Sequence, residues 1–479
     1  MVMETIQIRL TKGLIQEIRV LVDKGIYPST SEAVRDSVRR LITKTEPLKL
    51  SPEQTAVEEK IQKELKKQFQ KVTGTTDFYP EEQAIKTKIF EKLSETAVKF
   101  GFLEVDSPVI ESLDLLKSKQ GEEIVKQIFT IEKKGDEELA LRAEFTPSLA
   151  RMFIAKQKSI PKPVKWFCIN RVFRYERPQA GRLREFFQFD VELFGSDKPE
   201  SDAEVINLAI ESLKNLGLTE KDFFVKINNR KLLQGLLLDT IEEKDLENTI
   251  RIIDKKNKIS EQEFNDELTK TGLNNQQIEK IKQAINSELK DIKPKNELAK
   301  QGLEELKAVL KFLDKKFIKV DLSAARGLAY YTGTVFEIFD TDEKFRSIVG
   351  GGRYDSMIEQ FKGEKTPATG FGLGYSTLTL LLKEKNLLPA VDLAPDYFIA
   401  VVSKDVKEKA FEIANKLRKK YKIDIDLSER NLGNQFKYAD SIKAKNVIIV
   451  GPDELKQNKV KIKDMKTGKE KLTKIQSFS

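Results

Sequence analysis

The sequence predicts an α+β protein: an antiparallel sheet flanked by helices, with a helical insertion, a C-terminal α/β domain and a small strand-helix-helix module at the front. Three observations carry that expectation. From Val164 to Phe194, two aromatic and apolar stretches flank Arg177 to Arg184, whose Pro, Ala, Gly and Arg residues break the pattern, as in an antiparallel hairpin with a long basic loop. From Pro395 onward, short apolar runs alternate with helix-period stretches, the pattern of an α/β domain. Near the N-terminus, one short alternating stretch precedes two amphipathic ones. A chain of 479 residues exceeds what one core supports and should form about three domains.

In the first stretch Ile6, Ile8 and Leu10 face one way and Thr5, Gln7 and Arg9 the other, giving a short strand with a polar face. Leu14, Ile18, Leu21 and Val22 then form a helical stripe ending before Gly25. Ser29 with Glu32 reads as a capping box that opens a second helix carrying Val34, Val38, Leu41 and Ile42. So few residues cannot bury a sufficient core alone. The pattern resembles the ribbon-helix-helix family, in which two chains pair their strands. That resemblance implies that Thr5, Gln7 and Arg9 read DNA in the major groove while the second helix N-terminus holds a phosphate. A module that only dimerises is the equal alternative.

Past Pro47, a capped start at Ser51-Pro52 opens a helix with Val57, Ile61, Leu65 and Phe69 at four-residue spacing, which reads as a connector. From Gly74 to Leu116 the pattern is a long amphipathic helix, then a strand ending in Pro108. A hairpin around Lys133 to Glu138 and a helix from Pro147 lead into the central hairpin. There, alternation puts Arg174 and Glu176 on one face, and Phe186, Gln188, Asp190 and Glu192 on one face of the return strand. Arg142, Glu144 and Thr146 form a matching polar segment upstream. Together they suit a small, charged, hydrogen-bonding ligand; a solvated sheet with an Arg/Glu ladder is the plainer alternative.

A capped helix from Ser201 to Asn215 and a strand from Phe223 to Ile227 follow. Asn228 to Lys315 turns rich in Lys, Glu, Asn and Gln, with short helical patterns such as Leu303, Leu306, Leu310 and Leu313. Phe317 to Leu322 reads as a strand, and Gly350 to Gly352 allow either close backbone approach or, the safer reading, a tight turn. The last domain should run strand Tyr397 to Val402, helix Val406 to Lys420, strand Ile423 to Leu427, helix Asn434 to Lys443, strand Val447 to Val450, then Val460 to Met465.

Composition narrows the chemistry. One cysteine, Cys168, excludes an internal disulfide and a Cys-cluster zinc site, and on an apolar strand it reads as a small buried hydrophobe. The absence of histidine removes His-based triads, bases and metal ligands, leaving Arg, Glu, Tyr and backbone dipoles. A net charge of +9 favours a polyanionic partner. No apolar run approaches the ~20 residues needed to span a bilayer, and the N-terminus lacks a secretory apolar region, so no membrane association and a cytoplasmic location are expected.

FRYERPQAGRLREFFQFDVELFG resembles motif 2 of class II aminoacyl-tRNA synthetases in its histidyl form, and LRAEFT resembles the same family's segment at the amino-acid pocket. ARGLAYYTGTVFEIFD is similar to the family's histidine signature, GGGRYDSMIEQF follows it, and GFGLGYSTLTLLL corresponds to motif 3. LGNQFKYAD and VIIVGPDEL are similar to the anticodon-binding domain shared by histidyl, prolyl, threonyl and glycyl synthetases. The resemblance implies a ligase that consumes ATP, with magnesium carried on it, to join L-histidine to histidine tRNA, working as a homodimer built on motif 1, the helix and strand from Gly74 to Leu116. It implies that Arg174 and Arg326 hold the α-phosphate as catalytic residues, Glu176 the adenine edge, Phe186 the adenine face and Arg182 the distal phosphates. Glu144, Gln188, Glu192, Thr146, Tyr330, Tyr331 and Arg326 would bind histidine. Gln179 and Arg184 would touch the tRNA acceptor end. The magnesium ligands stay unassigned. Domains on this basis are 1–46, a connecting helix 47–73, a catalytic domain 74–390 with a helical insertion at 228–315, and an anticodon-binding domain 395–479.

Three positions depart from the family pattern: Thr377 stands where motif 3 ends in arginine, Ala329 where many relatives have Asp, and Phe187 where many have His. The missing arginine keeps one other reading open, and the N-terminal module suggests a second. One is a catalytically silent paralogue, like the regulatory subunit of ATP phosphoribosyltransferase, whose family lacks the anticodon domain. The other is a DNA-binding regulator acting through the N-terminal module.

Overall fold

The computed structural model describes residues 10–43, 70–120, 127–133, 135–179, 181–256, 259–326 and 330–478. The expected first strand with Thr5, Gln7 and Arg9, the connecting helix from Ser51 to Phe69, and Ala329 lie outside these residues. The chain divides into two compact units, residues 1–77 with 92–387 and residues 78–91 with 388–479.

Near the N-terminus the helix Lys12–Asp23 starts where Thr11 caps it, its side chain accepting from the Leu14 amide at 3.4 Å. Leu14, Ile18 and Leu21 bury one face against Ala33 of the helix Thr30–Thr43, with Leu10, Ile26, Tyr27 and Val34 alongside. Only half of the expected capping box forms. Ser29 Oγ accepts from the Glu32 amide at 3.2 Å, but the Glu32 carboxylate pairs with Arg35 at 2.8 Å. A charged partner one turn along the helix competes with a neutral backbone donor.

The first unit holds β1 (Leu103–Glu104), β2 (Ile110–Ser112), β3 (Leu139–Leu141), β4 (Val164–Phe173), β5 (Glu185–Phe194), β6 (Phe223–Asn229), β7 (Ile318–Val320), β8 (Thr334–Asp340), β9 (Val349–Arg353) and β10 (Ala368–Gly374). β2 and β3 pair by themselves, and the other eight form one sheet in the order β1-β4-β5-β10-β9-β8-β6-β7. The sheet is mixed, where the sequence led us to expect an antiparallel one: β1 lies parallel to β4 and β7 parallel to β6. Both exceptions join strands that are far apart in sequence, and the intervening chain serves as the crossover that parallel neighbours need.

Other expectations shift at their edges. The strand that should end at Pro108 shrinks to Leu103–Glu104, and the helix expected from Ser201 begins at Pro199 without a side-chain cap. Proline at the first position supplies the helical φ and has no amide to satisfy. β4 and β5 pair along ten residues, from Val164 opposite Phe194 to Phe173 opposite Glu185, so Arg174 and Glu176 belong to the loop and strand alternation does not orient them. Gly350 to Gly352 form no turn; they sit inside β9, between β8 and β10. One face of the sheet rests on the helix Thr146–Lys156, where Phe153 stacks on Phe194 at 4.7 Å and Leu149 and Phe145 are fully buried. Each such side chain contributes about 1.5–3 kcal/mol.

The stretch after β6 forms the helices Arg230–Leu238, Glu243–Ile253, Glu261–Lys270, Asn275–Ile285 and Glu297–Leu310. Leu233, Leu237, Ile250, Phe264, Leu268 and Ile281 gather into a core of their own. The second unit carries β11 (Tyr397–Val401), β12 (Ile423–Ile425), β13 (Asn446–Val450), β14 (Lys459–Asp464) and β15 (Glu470–Lys474), ordered β12-β11-β13-β14-β15. The helices Lys407–Leu417 and Leu432–Ser441 lie between its strands in sequence, as the alternation predicts. β15 escaped the reading because it is mostly charged and exposed, with no apolar face to betray it. Among the described residues, no helix is long and apolar enough to cross a membrane.

Candidate active site

A cavity of about 1000 Å³ opens on one face of the large sheet. Its floor is glycine. Gly370 and Gly372 of β10 lie opposite Glu192 and Asp190 of β5 on one side, and opposite Gly352 and Gly350 of β9 on the other. A Cβ on Gly370 would fall 1.9 Å from Glu192 Oε2, one on Gly372 would fall 1.9 Å from Gln188 Nε2, and one on Gly350 would fall 1.4 Å from an Arg326 guanidinium nitrogen. The absence of side chains on these strands is what lets long polar side chains from flanking elements lie across the sheet.

Carboxylate and phenol groups crowd one region. Glu192 is 1% exposed and accepts a hydrogen bond from the Tyr354 hydroxyl. Burial, then the Glu192 charge, pushes that phenol well above its ordinary value, so it stays a donor. Tyr330 donates to the Tyr331 hydroxyl at 3.2 Å, and burial, followed by Glu144, raises its phenol too, against the pull of Arg326. Gln188 Nε2 donates to Asp190 at 3.3 Å, while Gln188 Oε1 is buried with no hydrogen-bond partner among the described residues. A buried acceptor left open beside carboxylates fits a ligand that brings an N–H or ammonium group.

Arginines take the other region. Arg174 donates from Nε to the Ala143 carbonyl at 3.0 Å and lies over the Phe186 ring at 5.5 Å. Arg182 pairs with Glu176 across the loop, whose tip closes through mutual backbone bonds between Gln179 and Arg182 at 3.0 and 2.8 Å. Arg326 has φ 41°, a left-handed backbone that costs a non-glycine residue about 1 kcal/mol or more and is typical of functional sites. Its guanidinium lies 3.7 Å from Glu337. Burial alone would lower its pKa, but the field of Tyr331 and Glu337 outweighs that and holds it charged.

Of the residues singled out from sequence, Glu144, Thr146, Arg174, Glu176, Gln179, Arg182, Phe186, Gln188, Glu192, Arg326, Tyr330 and Tyr331 all line this cavity. Arg184 does not: it packs over the Tyr175 ring at 4.6 Å and donates to the Glu176 carbonyl at 3.1 Å. Arg142 is fully buried and points away, bonding the Arg171 and Ser107 carbonyls at 2.9 and 2.6 Å. Phe187 faces the opposite side of the sheet, under Arg171 at 4.6 Å, so its departure from the family pattern leaves the cavity untouched. Tyr354, Glu337 and Arg346 line the cavity without having been named. Tyr354 and Glu337 fall inside the blocks GGGRYDSMIEQF and ARGLAYYTGTVFEIFD and could have been found there; nothing local marks Arg346. Among the described residues, no three acidic or cysteine side chains come together as a metal site.

Residues 74–378 match the family model described as Histidyl-tRNA synthetase, and residues 396–479 the one described as Anticodon binding domain. The chain is 39% identical over 416 residues to a histidine–tRNA ligase of Natronomonas pharaonis, covering 85% of this chain and 96% of that protein. It is 41% identical over 421 residues to one from Pyrococcus horikoshii, covering 84% and 96%. A crystal structure of histidyl-tRNA synthetase from Nostoc superposes with a TM-score of 0.71 at 26% identity, covering 86% of this chain and 98% of that one.

Proposed function

We propose, from the premise that this chain belongs to the histidyl-tRNA synthetase family and is a histidine–tRNA ligase in function, a division of labour among its own residues. What carries it is one cavity with a carboxylate-rich region and an arginine-rich region on a shared glycine floor. Glu144, Gln188 and Glu192 take the histidine ammonium, with Tyr354 holding Glu192 in place. Tyr330 and Tyr331 approach the imidazole and Thr146 shapes the wall. Phe186 and Glu176 receive adenine, Arg174 and Arg326 the α-phosphate, and Arg182 the distal phosphates once it leaves Glu176. ATP brings the phosphoanhydride and its magnesium neutralises part of the charge.

In activation, the histidine carboxylate oxygen forms a bond to the α-phosphorus, and the bond to the bridging oxygen breaks, leaving pyrophosphate. The nucleophile is already anionic, so no side-chain base is needed; positioning and positive charge do the work. A terminal ribose hydroxyl of tRNA then attacks the carbonyl carbon and AMP leaves. Gln179 at the cavity and Arg184 behind it are offered for the acceptor end. Histidine-dependent exchange of pyrophosphate into ATP tests the reading, and a folded protein without exchange would end it.

The catalytic reading stands above the silent-paralogue and DNA-regulator alternatives, since relatives 39% and 41% identical, each covered over 96% of its own length, are named histidine–tRNA ligases. We assign residues 74–390 to catalysis, with 228–315 as the insertion, and 395–479 to anticodon binding, in a cytoplasmic homodimer. Residues 1–46 are proposed as a ribbon-helix-helix module on the connector 47–73, supported by the small paired-helix core around Leu14 and Ile18. Deleting 1–46 should leave a dimer with full exchange activity. If Thr5, Gln7 and Arg9 contact DNA, the Gln7→Ala, Arg9→Ala double variant should lose duplex binding and its salt dependence.

A further inference from the structure

We propose that Arg346 is an additional ATP-binding residue, reaching the β- and γ-phosphates from the β8–β9 loop and supplying the positive charge that position 377 lacks. This rests on the catalytic reading above and names one more group in that site.

Arg346 lines the cavity together with Arg174 and Arg182. Its guanidinium makes no hydrogen bond or ion pair among the described residues; Glu337, whose charge acts on it, lies 3.7 Å from Arg326. Its backbone, by contrast, is fixed on both sides. Asp340, 3% exposed at the end of β8, accepts from the Lys344 and Phe345 amides at 2.9 and 3.0 Å. Two residues beyond Arg346, the Ile348 amide donates to the Ile338 carbonyl at 2.8 Å and its own carbonyl accepts from Gly374 at 3.0 Å. A held backbone with an uncommitted guanidinium is suited to a ligand, because little ordering is left to do when one binds.

The like charges point the same way. Burial first, then Arg174, lowers the Arg346 pKa, and burial, then Arg346 and Arg174, lowers that of Arg182. The three guanidinium groups line one cavity, and although Glu176 offsets the charge of Arg182, a bound polyanion would relieve their mutual repulsion.

Position 377 lines the same cavity and brings no charge of its own. Thr377 is 6% exposed, and a Cβ built on Gly181 would lie 3.4 Å from its hydroxyl and 3.6 Å from Leu380. The tip of the loop after β4 therefore lies close to the start of the helix Tyr375–Glu384. As the bond from the α-phosphorus to the bridging oxygen breaks, its electron pair leaves on pyrophosphate. A permanently charged fork there stabilises the leaving group without any proton transfer.

The test compares the full chain with its Arg346→Ala and Arg346→Lys variants in histidine-dependent pyrophosphate exchange, and in binding of a non-hydrolysable histidyl-adenylate analogue that has no β- or γ-phosphate. For Arg346→Ala we expect kcat/KM for ATP to fall about 100-fold, KM for histidine and analogue affinity to move less than about threefold, and Arg346→Lys to recover part of the loss. Unchanged ATP kinetics would overturn the proposal. So would an analogue affinity that falls in step with ATP, the sign of a structural role. Absence of exchange in the unaltered chain would instead strike the catalytic reading, and this proposal with it.

Discussion

β13, with sequence NVIIV, and β9, with sequence VGGGR, are both inner strands of five residues. In β13, Val447, Ile448 and Val450 are fully buried between helices and neighbouring strands, as strand propensity would have it. β9 and its neighbour β10 give those positions to glycine, and the volume above them is filled by Gln188, Glu192 and Arg326 reaching over from other elements. Each glycine costs about 0.5–1 kcal/mol relative to alanine. One sheet is thus built for its own stability, while the other gives up some stability to hold charged side chains flat against its backbone.

That contrast can be broken by adding one methyl group at a time. Gly350→Ala sets a Cβ 1.4 Å from the Arg326 guanidinium, so exchange should fall about 100-fold, close to the ~100- to 1,000-fold loss expected for Arg326→Ala. Near-normal exchange in either variant, with folding checked by circular dichroism, would remove Arg326 from the mechanism. Gly370→Ala crowds Glu192 at 1.9 Å and should raise KM for histidine about tenfold while moving KM for ATP much less. A rise in both alike would mean that the strand, and not the carboxylate, had shifted.

In the other sheet the logic reverses. Ile448→Ala should cost about 2–4 kcal/mol in denaturant unfolding of the unit formed by residues 78–91 and 388–479, yet alter exchange by less than about threefold, since no residue of that unit lines the cavity. A large loss of exchange would show that the two units are coupled. The smallest effect concerns pH. The chain has no histidine, and Tyr330 and Tyr354 are held above their ordinary range, so they remain protonated at neutral pH. Exchange at saturating substrates should be flat between about pH 7 and 8.5; a sigmoidal step there would reveal a titrating group in the cavity.

Much of the candidate site was legible because its residues fall in short, ordered blocks. Phe186, Gln188 and Glu192 share a face by alternation alone, and the β4–β5 register brings that face to the cavity. Arg174 and Glu176 also reach it, but through a loop whose course alternation does not govern. Arg184 and Arg142 show the converse: charged residues beside the right motif, turned elsewhere by packing that no local pattern records. The C-terminal strands were legible for the opposite reason, each being an apolar run between helix-period stretches, and β15 was lost for want of one.

The sequence by itself determined the order of most elements, the β4–β5 hairpin, the absence of imidazole side chains and those cavity residues that fall in the motif blocks, because periodicity and motif spacing are local properties of the chain. Only the tertiary structure decided that Gly350 to Gly352 form a strand and no turn, that Tyr354 holds Glu192, and that Arg346 faces Arg174 and Arg182. Glycine carries no side chain whose periodicity could announce a strand. Residues 162 or more positions apart, such as Glu192 and Tyr354, meet only once β5, β10 and β9 lie side by side.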